Sequence, residues 1–253
     1  MLTHFFKHHP QIALGYSGGV DSTYLLYEGV RSGVNIKPYY VKTAFQPLFE
    51  LADARRFCDF LHVPLTIIDL DILQNTLITK NPPDRCYYCK KAIFEAVLSR
   101  ARDDGFNTVI DGSNASDDAS ERPGMKTLTE LQVLSPLREC GLTKETIRRL
   151  SKEAGLFTWD KPAYSCLATR IPIGHEITKE CLQKIEASEN VMISLDFTDF
   201  RVRLTGDGSA KLQVPGGQMK AVFDKKSDII SLLSPYFNSI TLDLQERVEK
   251  DIS

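Results

Sequence analysis

The sequence predicts an α/β protein, in which a mostly parallel sheet with helices on both faces is followed by a smaller C-terminal α/β domain. Apolar runs with strand character alternate with segments of helical periodicity over residues 12–154. This alternation is typical of βαβ units, which bind ligands beyond the carboxyl ends of their parallel strands. A loop rich in turn-forming residues separates these elements from a second, shorter group. We therefore predict one domain over residues 1–165 and another over residues 166–253.

Each element follows from its apolar spacing. β-branched and aromatic runs predict strands, whereas apolar residues three and four apart predict helices. Thr143 is a suitable N-cap and Gly155 a suitable stop for the last helix of the first domain. The predicted order there is strand 12–16, helix 21–31, strand 35–42, helix 47–61, strand 65–68, helix 89–101, strands 108–112 and 131–134, and helix 144–154. The second domain is predicted to hold helix 178–194 and strands 200–205, 210–214 and 240–244.

Composition narrows the class of function. The 253 residues include 31 Lys and Arg against 33 Asp and Glu, for a net charge of -2. There is no basic tail or stripe, so the sequence predicts a small-molecule substrate and no nucleic-acid partner. It also contains no signal peptide and no apolar membrane span, which predicts a cytoplasmic protein without a membrane partner. In such a protein, the six cysteines are better examined as metal or catalytic residues than as disulfides.

The segment between the first strand and the first helix has the character of a phosphate-binding loop. Its two glycines permit a tight turn with exposed N–H groups, and the following helix directs its positive end at the same point. The spacing differs from the Walker and dinucleotide-binding loops and resembles the PP-loop of the Rossmann-like ATP pyrophosphatases. That resemblance implies ATP binding, with Asp21 as a catalytic residue that helps to bind Mg²⁺. The alternative is an ordinary glycine-rich turn. The predicted ATP-binding residues are Ser17, Gly18, Gly19, Val20, Asp21 and Ser22.

Three of the six cysteines are candidates for metal binding. Cys86 and Cys89 lie just ahead of, or within, the first turn of a helix, where the helix N-terminus and neighbouring basic residues favour thiolates. Cys166 lies in a segment too rich in small and turn residues to be core filler. Three thiolates can hold a [4Fe–4S] cluster and leave one iron without a protein ligand, able to carry a sulfide. Zinc, with His62 or water as the fourth ligand, is the alternative. The remaining cysteines are interpreted as structural: Cys58, Cys140 and Cys181.

A polar loop over residues 111–118 follows a predicted buried strand. Asp117 and Asp118 in this loop are candidates for contact with a metal or a ribose at the rim of the sheet. The alternative is a solvated loop, since Asp, Asn and Ser favour turns whatever the function.

Basic residues of the second domain are candidates for binding a substrate phosphate. Arg201 and Arg203 alternate along one strand, so both guanidinium groups leave the same face. They form either a phosphate fork or a pair of surface arginines. Glu189, on the preceding helix, is either an outward charge or the partner of such an arginine, and Arg170 is a further anion candidate.

Taken together, these segments resemble the LarE family of ATP-dependent sulfurtransferases, which act on pyridinium-3,5-biscarboxylic acid mononucleotide to build a nickel-pincer nucleotide cofactor. The resemblance covers nearly the whole chain. It implies adenylation of a substrate carboxylate with release of pyrophosphate, followed by displacement of AMP by sulfur. It also implies a homo-oligomer, a hexamer, and a sulfide donor as partner. The segments that carry it are residues 17–22, 85–90, 111–124, 166–174 and 201–203.

The family supplies sulfur in two ways, and the resemblance leaves both possible. Some members give up the sulfur of one of their own cysteines, whereas three-cysteine members hold a [4Fe–4S] cluster. With Cys86, Cys89 and Cys166, this chain resembles the second group, with Cys166 as a catalytic residue. The alternative functions are a tRNA-thiolating PP-loop enzyme, an amide-forming PP-loop ligase and a nucleotide sensor.

Overall fold

A computed structural model describes residues 2–117, 123–162 and 164–247. The strands are β1 Gln11–Gly15, β2 Asn35–Lys42, β3 Thr66–Asp69, β4 Val109–Ile110, β5 Arg201–Leu204, β6 Ala210–Gln213 and β7 Ile240–Leu242. The helices are α1 Leu2–His8, α2 Val20–Arg31, α3 Leu48–Phe60, α4 Thr76–Thr79, α5 Arg85–Asp103, α6 Pro123–Glu130, α7 Pro136–Glu139, α8 Lys144–Glu153, α9 Lys179–Ser194, α10 Met219–Asp224 and α11 Lys226–Leu233.

The chain folds into two compact units. One takes Met1–Ile72 and Asp84–Ala163, and the other takes Leu73–Pro83 and Tyr164–Ile252. The second unit therefore includes a segment from the middle of the region predicted as the first domain.

The first unit is built on a four-stranded parallel sheet with the strand order β3-β2-β1-β4. Alternate residues of β1 enter different cores: Ile12 and Leu14 pack with α2, α3 and α8, whereas Ala13 packs with α5 and α6. Because apolar side chains leave both faces of the strand, helices must cover both faces. The predicted α/β fold class is confirmed.

The second unit holds a three-stranded sheet with the order β5-β6-β7, in which β5 and β6 are antiparallel and β6 and β7 are parallel. Its core joins α9, α10 and α11 to this sheet through residues such as Met192, Val202 and Leu233. Helices α10 and α11 were not predicted from the sequence, and the strand predicted at residues 131–134 is wrong. Only a single bridge, between Ile110 and Leu134, forms there.

Within the described part of the chain, no helix combines the length and the apolar character needed to cross a membrane.

Candidate active site

The predicted phosphate loop lies between β1 and α2. Gly18 has a φ of 73°, and a Cβ at this position would lie 3.2 Å from the Cβ of Ala54, so a side chain would be both strained and crowded. The Ser17 and Ser22 hydroxyls lie 3.0 Å apart and close the turn. Gly19 caps α2 without a side-chain hydrogen bond. The positive end of α2 is therefore left for an external anion.

Gly112 brings the loop after β4 against the phosphate loop. A Cβ on Gly112 would lie only 2.9 Å from the backbone nitrogen of Ser22, a distance at which something would have to shift. Gly112 was predicted to lie in a polar loop, but its contact with Ser22 is not evident from the sequence. The close approach requires glycine because only a bare backbone fits against the start of α2.

Asp21 lies in the first turn of α2 and is paired with a residue that the sequence analysis missed. The Lys144 Nζ, at the start of α8, lies 2.6 Å from Asp21 Oδ2. Burial raises the pKa of Asp21 above its ordinary value, Lys144 and Arg148 oppose this rise, and Asp117 adds to it. The other carboxylate oxygen, Oδ1, is buried and accepts no hydrogen bond from the residues described. A free carboxylate oxygen beside an anion-binding loop fits Mg²⁺, which prefers oxygen ligands.

Asp111 and Asp117 at the rim of the sheet are both buried. Asp111 accepts hydrogen bonds from the Ser113 hydroxyl at 2.5 Å and the Ser135 hydroxyl at 2.7 Å, and it pairs with Lys90 of α5 at 3.3 Å. Asp117 accepts a hydrogen bond from the backbone nitrogen of Asn114 at 2.9 Å. These contacts show carboxylates that order the loop rather than a solvated surface. The other predicted carboxylate, Asp118, lies outside the described residues.

The Cys86 and Cys89 thiols lie on the first turns of α5, three residues apart and therefore on one side of the helix. Cys86 is exposed and Cys89 is half-buried. An Arg85 guanidinium nitrogen lies 3.7 Å from Cys86 Sγ, and Asp84 caps the helix without a side-chain hydrogen bond. The Cys86 thiol is therefore open to solvent beside a cation, where a metal ion or an alkylating reagent can reach it.

The third candidate cysteine belongs to the second unit. Cys166 is half-buried and caps a 3₁₀ helix over Leu167–Arg170. Searched across the described residues, the structure contains no group of three or more His, Cys, Asp or Glu side chains arranged to hold a metal ion.

Arg170 and Glu189 form a buried ion pair in the second unit. The Arg170 side chain is 0% exposed, and its Nε and one terminal nitrogen donate to the two Glu189 oxygens at 2.9 and 3.0 Å. The other terminal nitrogen donates to the Ser165 carbonyl at 2.7 Å and to the Thr169 hydroxyl at 2.9 Å. Glu189 also accepts from the Tyr164 hydroxyl and from the backbone nitrogen of Val202. All three Arg170 nitrogens are therefore occupied: two bind Glu189 of α9, and the third holds the turn that contains Cys166.

Arg201 and Arg203 project from β5 beside this pair. Arg201 is buried and donates to the Phe200 carbonyl at 2.6 Å, so it is not a surface residue. Burial, followed by the positive charges of Arg170 and Arg247, lowers the pKa of Arg201 to about 10. The same causes lower the pKa of Arg203, which donates to the Thr169 carbonyl. The neighbouring positive charges destabilise the protonated form of these guanidinium groups. An anion bound beside them would offset that repulsion.

Comparison with known proteins places the chain in a family. No family model matches it. It is 33% identical over 250 residues to the uncharacterized protein slr1717 of Synechocystis, an alignment that covers 96% of this chain and 92% of that protein. The chain belongs to the same family as slr1717. Since the alignment spans both units, the family extends over the phosphate loop and the arginines of the second unit alike.

Two relatives with functional names are more distant. The chain is 29% identical over 238 residues to the pyridinium-3,5-bisthiocarboxylic acid mononucleotide synthase of Lactiplantibacillus plantarum, over 92% of this chain and 86% of the synthase. It is 24% identical over 282 residues to the tRNA-specific 2-thiouridylase MnmA 1 of Clostridium tetani, over 96% and 76% of the two chains. MnmA proteins are PP-loop enzymes, which agrees with the parallel sheet and the loop after β1.

Proposed function

We propose that this protein is an ATP-dependent sulfurtransferase that converts the carboxylates of a pyridinium mononucleotide to thiocarboxylates. The observation that supports it most is the open, glycine-built anion loop at the start of α2, with the free oxygen of Asp21 beside it. The relative named as a bisthiocarboxylic acid mononucleotide synthase, similar over 92% of this chain, supports the substrate class.

In the first half of the proposed reaction, ATP activates the substrate. Backbone N–H groups of residues 17–22 and the positive end of α2 bind the β and γ phosphates. Asp21 would hold Mg²⁺ through its free oxygen, and the metal offsets charge on the phosphates. A substrate carboxylate oxygen attacks the α phosphorus, the bond to the bridging oxygen breaks, and pyrophosphate leaves with the electron pair. The product is an acyl-adenylate.

In the second half, a sulfide attacks the acyl carbon and AMP leaves as the C–O bond breaks. Arg201 and Arg203 bind the phosphate of the mononucleotide, while Arg170 and Glu189 hold the turn that contains Cys166 in place. Cys86, Cys89 and Cys166 would be the residues that hold a [4Fe–4S] cluster, and such a cluster would supply sulfide from an iron without a protein ligand. Two rounds give the bisthiocarboxylic acid. We propose that the protein works as a homo-hexamer.

The experiment that tests the activation step measures the phosphate product. With ATP, Mg²⁺ and pyridinium-3,5-biscarboxylic acid mononucleotide, the protein should release pyrophosphate and AMP, and Asp21→Asn should remove most of this activity. Formation of ADP and orthophosphate would contradict the proposal.

The sulfur source has its own test. After anaerobic turnover with added sulfide, the intact mass of the protein decides between the two routes. Several products per chain at unchanged mass would support the cluster, together with iron and sulfide counts that fall in the Cys86→Ala protein. A loss of one H₂S at Cys166 would show that the protein sacrifices its own sulfur.

Thiolation of tRNA is the second candidate, favoured by the similarity to a tRNA-specific 2-thiouridylase over 96% of this chain. The net charge of -2 argues against it, because an RNA-binding protein needs a basic surface. Offering tRNA and the mononucleotide in parallel separates the two, since only the true substrate should gain sulfur in an ATP-dependent manner.

A further inference from the structure

The ion pair between Lys144 and Asp21 stands in an unusual place. Lys144 is the first residue of α8, where the positive end of the helix disfavours a cation. Acidic residues are preferred at such positions, so a lysine there needs a compensating negative charge. Asp21 provides it, 123 residues away in sequence and at 2.6 Å in space. The side chains are 23% and 20% exposed, which partly shields the pair from water.

The backbone at Lys144 is fixed, whereas its ammonium group has spare donors. Thr143 caps α8 by accepting from the Thr146 nitrogen, and the Lys144 nitrogen donates to the Ser116 hydroxyl at 3.0 Å. The ammonium has three N–H donors, and of the described residues only Asp21 receives one. Two donors thus remain for an anion, on a side chain flexible enough to move by a few ångströms.

We propose that Lys144 acts as a stand-in for Mg²⁺. Its ammonium group pairs with the carboxylate of Asp21 while no nucleotide is bound, and Mg²⁺ displaces it when the nucleotide binds. The ammonium then turns to the phosphates that Mg²⁺ brings with it. The exchange keeps each charge paired, because the carboxylate gains the metal as the ammonium gains a phosphate oxygen. As a consequence, the metal alone binds poorly, and it enters only together with ATP. This inference rests on the proposed function, in which Asp21 holds the metal.

The test measures metal binding and nucleotide binding separately, without turnover. Mn²⁺ replaces Mg²⁺ as the probe, its free concentration is followed by electron paramagnetic resonance at pH 8, and a non-hydrolysable ATP analogue is titrated by calorimetry. Lys144→Met should bind Mn²⁺ alone about tenfold more tightly than the unchanged protein and should bind the Mg²⁺–analogue complex about tenfold more weakly. Lys144→Arg, which keeps the positive charge, should remain close to the unchanged protein for Mn²⁺ alone.

The chain offers a matched control. Lys37 pairs with Asp104 at 2.6 Å in the same unit, and its side chain is 25% exposed, so Lys37→Met breaks a similarly sheltered pair at the far end of α5. This variant should change neither affinity. The opposite movement of the two affinities is a result that simple loss of folding cannot produce.

Two results have different meanings. If Asp21→Asn abolishes binding of the Mg²⁺–analogue complex but Lys144→Met does not raise the affinity for Mn²⁺ alone, the stand-in role is wrong and the metal site survives. If Asp21→Asn leaves binding of the complex unchanged, Asp21 is not the metal ligand, and that part of the proposed function fails.

Discussion

The six cysteines show how strongly one residue type is changed by its surroundings. Cys58 is 1% exposed within the core formed by α2 and α3, and burial raises the pKa of its thiol to about 12. Burial also raises the pKa of Cys140. Cys86, in contrast, is exposed at the positive end of α5. Because the thiolate is the reactive form, these thiols should differ greatly in reactivity.

Alkylation measures this difference. In the reduced, metal-free protein at pH 8, iodoacetamide should modify the exposed Cys86 readily and leave Cys58 untouched, since a buried thiol with a pKa of about 12 is almost wholly protonated at that pH. Peptide mass spectrometry after short exposure gives the order of modification. In guanidinium chloride all six should react at similar rates. Modification of Cys58 at the rate of Cys86 in the folded protein would show that the thiol is not buried.

Arg170 is predicted to be the arginine on which the second unit depends most. Arg170→Met leaves the buried Glu189 carboxylate without the cation of its ion pair, which should lower the free energy of unfolding by about 3–5 kcal/mol. The control is Lys220→Met, which breaks a surface ion pair. The Lys220 side chain is 85% exposed and that of its partner Asp224 is 58% exposed. That change should cost less than about 1 kcal/mol. Urea denaturation measures both, and equal costs would mean that Arg170 is not structural.

Among the elements, α5 is joined to the sheet by hydrogen bonds to one carboxylate at the C-terminal end of the helix. Asp104, just after α5, accepts from Lys37 at 2.6 Å and from the Tyr39 hydroxyl at 2.9 Å, both on β2. These hydrogen bonds, with Lys37 first, lower the pKa of Asp104 to about 2. They tie the helix that contains Cys86 and Cys89 to the centre of the sheet. The tie should depend on pH.

The direction follows from the lowered pKa. The ionised carboxylate is favoured in the folded state, so its stabilisation is present above the ordinary pKa of about 4 and is lost as the pH falls toward about 2. Asp104→Asn should therefore be less stable than the unchanged protein at pH 6, and the two should converge at pH 2. Thermal unfolding followed by circular dichroism across this range is the measurement. Parallel stability curves, offset equally at every pH, would contradict the assignment.

Local patterns predicted most elements, and they failed where distant residues decide. The predicted helix at 178–194 and strand at 35–42 agree closely with α9 and β2, because apolar spacing and caps are local signals. Residues 131–134 have strand composition, but the chain makes only one bridge there before α7 begins. The pairing of Lys144 with Asp21 spans 123 residues, so no local pattern indicates it. Burial of Arg170 is equally invisible, since a charged residue is expected to be exposed.

At the scale of the whole molecule, the chain leaves the first unit and returns to it. The segment Leu73–Pro83 belongs to the second unit although it lies between β3 and α5 of the first. Backbone hydrogen bonds join it there: Ile177 donates to the Thr79 carbonyl at 2.7 Å, and Gly174 donates to the Asn81 carbonyl at 2.9 Å. Sequence order alone does not indicate that this segment belongs to the second unit, because its placement depends on contacts between residues about 90 positions apart.

We expect Asn81 to hold the segment Leu73–Pro83 to the rest of the second unit. It is 1% exposed, has a φ of 52°, and donates from its side chain to the Pro172 carbonyl at 2.8 Å. Asn81→Ala removes the side-chain hydrogen bonds to the Ile171 and Pro172 carbonyls, at a cost of about 1–3 kcal/mol, and it adds backbone strain that asparagine tolerates better. Asn81→Gly removes the same hydrogen bonds without the strain, so its stability should lie between that of the unchanged protein and that of Asn81→Ala. Hydrogen exchange followed by mass spectrometry should show faster exchange in the peptide over residues 171–177, while β1 and β2 stay protected. Unchanged exchange in that peptide would mean that the segment is held to the second unit by other contacts.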